Sequence, residues 1–334
     1  MSTLRVGLVA DPDAPTEVAR RFHRDQEAAE ERRGWGTEVV SEPFTEARED
    51  ADAAFGRLTD LAREHGWDRV VGVTELPLHG DDGEYLLVET DADGHAAMLS
   101  LPAVGGLRVQ ARSNRALRDL VEDMTDGGTE VDARVPLPRR SGRGRVLLGM
   151  VLANRPWLLV PGLKSALVAA LTTGAIATVN STVWLLAGSL SPWRLVVATV
   201  ASIALVVGWL VIDGELWDRP DDGSHRARER SRLYNLSTLL TLTAGAVICY
   251  VALYLLNLLC ALFVLDPDVV GGYLRMRSDY GDVFVLTWFV ASAATVGGAL
   301  GSGLESDRAI RAAAYSKREE DRRQRLAEVT GRGS

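Results

Sequence analysis

The chain predicts an α/β domain followed by an all-α, four-helix transmembrane domain, and three observations carry that prediction. Four long apolar stretches crowd the second half, strand-like and helix-like segments alternate in the charged first half, and the composition changes abruptly near Arg145. The stretches cover about 165–190, 195–212, 236–265 and 283–304, each close to or above the roughly 20 residues that an α-helix needs to cross hydrocarbon. The organisation that follows is a cytosolic α/β domain over 1–133, a basic linker and interfacial segment over 134–163, a membrane domain over 164–304 and a cytosolic C-terminal helix over 305–334.

In the first half, 4–10 is a continuous apolar run and reads as a buried strand, 15–33 as a helix, 37–43 as a strand and 45–66 as a helix opened by Thr45 with Glu49 nearby. A strand over 69–73, a pair near 85–89 and 96–101, and a helix over 114–124 complete an α/β sandwich. Two prolines and two glycines within 134–145 read as the linker. Up to Val135 the chain holds 15 arginines against 29 acidic residues. That acidity argues against nucleic acid as a partner, since phosphate backbones need a basic surface.

Orientation follows from the arginines. Arg139, Arg140, Arg143, Arg145 and Arg155 precede the first stretch, Arg226, Arg228, Arg230 and Arg232 lie between the second and third, and a further cluster from Arg308 to Arg325 follows the fourth. The positive-inside rule then places both termini in the cytoplasm of a cell whose inner membrane the chain spans. The opening residues carry one arginine and a short apolar run ending in Asp-Pro-Asp, which reads against a secretory leader. Residues 146–160 are apolar but interrupted by Asn154, Arg155 and Pro156 beside Trp157, and suit either an interfacial segment or a plain linker.

Inside the stretches, Ala166, Ala170, Gly174 and Thr178 recur at helical spacing, as do Gly297 and Gly301. Such rows let helix backbones approach closely, either within one chain or between copies in a homo-oligomer. Polar residues at depth are Asn180, Ser181, Thr182 and Asn257, with no ionisable side chain placed centrally. This speaks against a proton-coupled or charged-substrate carrier, and Asn180 is expected to bond a neighbouring helix. Cys249 and Cys260, the two cysteines, both fall in the third stretch and read as small apolar fillers rather than a disulfide or metal pair.

Chemical motifs are sparse, and no catalytic residue is assigned. The turn after the first strand, Ala-Asp-Pro-Asp-Ala-Pro-Thr-Glu, lacks the glycines of a dinucleotide fingerprint and carries carboxylates that repel a pyrophosphate. Walker A is absent too, so no cofactor is expected. His79 and His95 flank a segment with Asp81, Asp82, Glu84, Glu89, Asp91 and Asp93. Of these, His79, His95 and Glu89 are the candidate metal ligands, although their spacing matches no ligand template.

Several segments carry resemblances. Asp-Arg-Val-Val-Gly-Val-Thr-Glu-Leu-Pro-Leu-His, Ser-Leu-Pro-Ala-Val-Gly-Gly, Asn-Arg-Pro-Trp, Val-Asn-Ser-Thr-Val-Trp and Ala-Thr-Val-Gly-Gly-Ala-Leu-Gly-Ser-Gly-Leu-Glu together resemble an uncharacterised family of actinobacterial four-span membrane proteins. That resemblance implies architecture and no activity. Val-Gly-Val-Thr-Glu-Leu-Pro-Leu followed by Met-Leu-Ser-Leu also looks like the strand block of archaemetzincin-type zincins, which place an HExxH helix after it. Here the helix from Asn114 to Met124 has no histidine, so the resemblance implies a zincin-like domain without its zinc ligands.

The reading that these observations favour is a non-catalytic binding, regulatory or scaffold protein coupling a cytosolic domain to an oligomerising anchor. Its partners would be the lipid bilayer, further copies of itself and a cytosolic protein or small ligand. The alternatives are a small oligomeric channel or transporter lined by Asn180, Ser181 and Thr182, and a divergent metal- or cofactor-dependent enzyme.

Overall fold

The apolar run at the head of the chain becomes a central strand covered on both faces, which is why it lacks the alternation of a half-exposed strand. This strand, β1 (Leu4–Ala10), lies between and parallel to β2 (Trp35–Ser41) and β3 (Arg69–Thr74), with Leu8 opposite both Val39 and Val71. The computed structural model describes residues 4–27, 34–45, 51–80, 84–106, 108–125, 134–220, 225–266, 271–272 and 280–301. Two compact units result, the first running to Ala153 and the second starting at Asn154.

In the first unit β4 (Leu78–His79), β5 (Tyr85–Thr90), β6 (Ala96–Ser100) and β7 (Arg134–Pro136) extend the sheet, whose order is β2-β1-β3-β6-β5-β4 with β7 also on β5. β6 runs parallel to β3, whereas β5 runs antiparallel to β6, β4 and β7. Helices cover both faces. α1 (Ala14–Glu27), α2 (Ala51–His65), the short α3 (Leu101–Val104) and α4 (Val109–Thr125) follow in chain order. Phe22, Leu117 and Val121 from α1 and α4 pack with Leu8, Val71 and Leu99, while Leu58 and Leu61 of α2 pack with Phe44, Val70 and Met98. The layers are thus helix, mixed sheet, helix.

The segment 134–145 is not a linker. Its start is β7, where Val135 pairs with Val88, and from Arg139 it enters α5 (Arg139–Ala153). One face of α5 is apolar at helical spacing, so Val146 and Met150 are fully buried. Gly149 lies so close to Pro102 of α3 that a Cβ there would stand 2.3 Å from the Pro102 carbonyl oxygen. Glycine and proline here serve close packing and an edge strand, which their composition alone presents as a connector.

The second unit is helical. After a 3-10 turn (Pro156–Leu158) come α6 (Leu159–Gly162), α7 (Lys164–Thr178), α8 (Ser181–Ser189), α9 (Pro192–Asp213), α10 (His225–Val264) and α11 (Tyr280–Gly301). Among the described residues three helices are long and apolar enough to cross a membrane: α9, α10 over Ser231–Val264 and α11 over Tyr280–Gly298. A fourth is reached only if the bent pair Ser141–Gly162 and Lys164–Thr178 counts as one span. The first stretch, expected as one helix over 165–190, is broken: α7 ends at Thr178 and α8 starts anew at Ser181. The expected C-terminal helix over 305–334 lies outside the described residues.

Candidate functional site

In a sheet of this order the chain passes from β1 to β2 on one side and then crosses back to β3 on the other side of β1. The carboxyl ends of these strands are where doubly wound proteins hold ligands. Asp11, the residue that follows β1, occupies that place and is fully buried. Its Oδ2 accepts hydrogen bonds from Thr45 Oγ1 at 3.0 Å and Thr74 Oγ1 at 2.7 Å, and its Oδ1 from the Phe44 amide at 3.3 Å. Thr16 Oγ1 donates to the Asp11 carbonyl at 2.8 Å and also lies 2.7 Å from Ser41 Oγ. On the β6 side, Ser100 Oγ donates to the Leu76 carbonyl at 2.7 Å, and Glu75, the residue before Leu76, is 8% exposed.

The arrangement ties the ends of three parallel strands to one carboxylate. A buried carboxylate is stable only where donors satisfy its oxygens, and with three of them engaged Asp11 acts as an internal clasp. The sequence marks this turn only by its repulsion for a pyrophosphate. That Asp11 gathers Thr45 and Thr74 was not legible, because 29 or more residues separate each partner from the next along the chain.

The candidate metal ligands stand apart in their partners. His79 on β4 packs its ring against Tyr85, with centroids 4.7 Å apart. Glu89 on β5 is buried and accepts from Arg134 Nε of β7 at 3.2 Å. His95, in the exposed β5–β6 turn, donates from Nδ1 to the Asp93 carbonyl at 2.9 Å, and its amide donates to Asp91 at 2.8 Å. Among the described residues no group of three or more His, Cys, Asp or Glu side chains comes together. Asp81 and Asp82 lie outside them.

In the second unit the polar residues singled out in the first stretch serve the break. Asn180 caps α8, its Oδ1 accepting from the Thr182 amide at 2.9 Å, and both residues are exposed. Asn180 therefore bonds its own next turn and not a neighbouring helix, and Ser181 is the first residue of α8. Thr178, the last residue of α7, offers its carbonyl to Trp184 Nε1 at 2.6 Å, which satisfies one backbone group that the break sets free.

Asn257 is fully buried on α10. Its Nδ2 donates to the Leu253 carbonyl at 3.0 Å, whereas its Oδ1 has no hydrogen-bond partner. That oxygen faces Gly174 of α7, where an added Cβ would stand 2.3 Å away. One turn earlier Ala170 meets Gly298 of α11, at which a Cβ would stand 2.5 Å from the Ala170 methyl. The small-residue row of α7 is thus used inside this chain. Gly297 has nothing within 4 Å of where its Cβ would be, so of these two neighbours it is Gly298 that packs. Gly301 ends α11.

A second polar cluster joins three helices and was not anticipated. Trp288 Nε1 of α11 donates to Thr199 Oγ1 of α9 at 2.7 Å, and Tyr250 of α10 lies 2.9 Å from Ser292 Oγ and 3.1 Å from Thr199 Oγ1. Thr199 and Ser292 complete the ring at 3.2 Å. Hydroxyls and one indole are invisible to a search for charges at depth, yet in lipid they are the groups that bond across helices. Comparison of the chain with protein-family models, with curated proteins and with solved structures finds no match.

Proposed function

We propose that this chain is a membrane-anchored binding or scaffold protein, in which a non-catalytic α/β domain is held at the cytoplasmic membrane by a packed helical anchor. One observation carries the reading: the polar ring of Thr199, Tyr250, Trp288 and Ser292 bonds α9, α10 and α11 to one another. Polar side chains that bond each other lock a bundle, whereas a conduit needs them turned to a passing solute. In the first unit the Asp11 clasp works in the same direction, since Thr45, Thr74 and the Phe44 amide already engage its carboxylate.

Cytoplasmic placement of both termini rests on the arginine distribution. The zincin-like reading of the domain draws on the strand block over β3 and β6 and on α4, which follows it and bears no histidine. A conduit is the second reading, favoured by the unpartnered Oδ1 of Asn257 beside α7, the helix that ends in a break. Broken helices and unsatisfied polar groups at depth are what transport sites use.

Reconstitution of the full chain into liposomes separates the two. An anchor leaves trapped potassium and a trapped fluorescent anion as well retained as in empty vesicles. Leakage that Asn257→Leu abolishes would overturn the anchor.

A further inference from the structure

In the acidic first unit most arginines that the structure places near another charge have a carboxylate beside them. Arg5 pairs with Glu38 at 3.1 Å, Arg63 with Asp60 at 2.7 Å, Arg134 with Glu89 at 3.2 Å, and Arg57 with Glu42. Arg112 and Arg145 break that pattern. Arg145 of α5 donates to the Val104 carbonyl from Nε at 3.2 Å and from Nη2 at 3.0 Å, and Arg112 of α4 reaches the same oxygen from Nη1 at 3.5 Å. Two guanidinium groups thus meet over one neutral acceptor, and among the described residues neither has a carboxylate partner.

The setting strengthens the positive potential. Arg112 stands in the opening turns of α4, which has no acidic residue in its first turn, so the helix dipole adds to the field of the two cations. Arg108, one turn earlier, is exposed. Burial first, and the neighbouring Arg112 cation second, hold the Arg145 guanidinium below the usual arginine range.

Beneath the two side chains lies the buried Gly105. Gly105 has φ +93°, and a Cβ there would stand 3.0 Å from Arg145 Cγ, 3.3 Å from Arg145 Nε and 3.5 Å from Arg112 Nη1. A side chain at 105 would crowd the guanidinium groups, so glycine lets both of them reach the Val104 carbonyl. Capping the Val104 carbonyl requires one arginine. The second adds repulsion, and only an anion between them turns that repulsion into attraction.

We propose that Arg112 and Arg145 form a binding site for a phosphate group, above the buried Gly105. Guanidinium is suited to this ligand because its planar edge matches two phosphate oxygens. Arg145 spends Nε and Nη2 on Val104 and keeps Nη1, while Arg112 spends only Nη1 and keeps its other edge. The phosphate belongs either to an anionic lipid headgroup or to a soluble phosphate compound. The lipid source is favoured by the chain itself, since α5 leads directly into the membrane unit at Asn154. The site stands whether the membrane unit is an anchor or a conduit.

The test uses the full chain in an uncharged detergent and follows its thermal unfolding. Three additions are compared: inorganic phosphate, short-chain phosphatidylglycerol and short-chain diacylglycerol, each at constant ionic strength. A phosphate-bearing ligand is expected to raise Tm and diacylglycerol is not. Arg112→Gln, at an exposed position, is expected to fold as wild type and to weaken half-saturation about tenfold or more, the loss of one charge-assisted hydrogen bond. Arg112→Lys recovers only part of it.

A shift with phosphatidylglycerol alone assigns the site to lipid, and a shift with inorganic phosphate as well assigns it to a soluble phosphate compound. No shift with either, or a shift that Arg112→Gln leaves unchanged, overturns the proposal. Arg145→Gln removes the Val104 cap as well, so Arg112→Gln decides the matter if the Arg145 variant fails to fold.

Discussion

Gly174 and Asn257 show how little room a buried polar residue has in the membrane unit. The Asn257 amide fits because Gly174 presents no side chain, and a Cβ there would stand 2.3 Å from its Oδ1. Gly174→Ala is therefore expected to destabilise the unit by about 1–3 kcal/mol, the usual cost of overpacking. Gly297→Ala, with nothing within 4 Å, is expected to stay within about 0.5 kcal/mol of wild type. Thermal unfolding of both variants in the same detergent checks the contrast. In the first unit Glu38 accepts from Trp67 Nε1 at 2.8 Å and from Arg5 at 3.1 Å. The Trp67 bond, and then the Arg5 bond and charge, hold the Glu38 carboxyl below its ordinary value despite the opposing effect of desolvation. A carboxyl lowered on folding contributes stability above its unfolded pKa and loses it as pH falls through the folded value. The Tm gap between wild type and Glu38→Gln is thus expected at neutral pH and should close on acidification through the carboxylate range.

At the scale of elements, the break between α7 and α8 illustrates why hydropathy overstates continuity. A window of about 20 residues averages Asn180, Ser181 and Thr182 into their apolar neighbours. The same triplet, read locally, is a helix start, since asparagine is a favoured N-cap and its side chain satisfies a free amide. Asn180→Leu removes that bond and is expected to cost about 1 kcal/mol, whereas Asn180→Asp keeps it. Protection of the Thr182 amide in hydrogen exchange reports the cap directly and should fall in the first variant only. β7 and α5 carry the complementary lesson. Their prolines, glycines and arginines look like a connector, but Val135 pairs with Val88 and Met150 is fully buried, contacts that only the folded sheet makes available.

For the molecule as a whole, the first unit extends to Ala153, about two elements beyond the boundary that composition suggests. Val146 and Met150 are both fully buried, and each such side chain contributes about 1.5–3 kcal/mol when taken from water. A chain truncated after Ala153 is expected to unfold in one cooperative transition. A chain truncated after Gly128 exposes the edge of β5 and the face of α3, and should melt at clearly lower temperature or aggregate. Circular dichroism against temperature distinguishes the two, and equal melting curves would mean that β7 and α5 are not part of the unit.

The sequence by itself determined the α/β character of the first half and the presence in the second of helices apolar enough for a membrane, but not β7, α5 or the break between α7 and α8. The first two are properties of local period and composition, visible in β1, α1, α9 and α11 without knowledge of any partner. Tertiary structure alone decided the strand order that brings Asp11 to Thr45 and Thr74, the ring of Thr199, Tyr250, Trp288 and Ser292, and the meeting of Arg112 with Arg145. Each of these joins residues far apart in the chain through hydroxyls, amides and like charges. Such groups carry no periodic signal, so only the packing of elements reveals what they face.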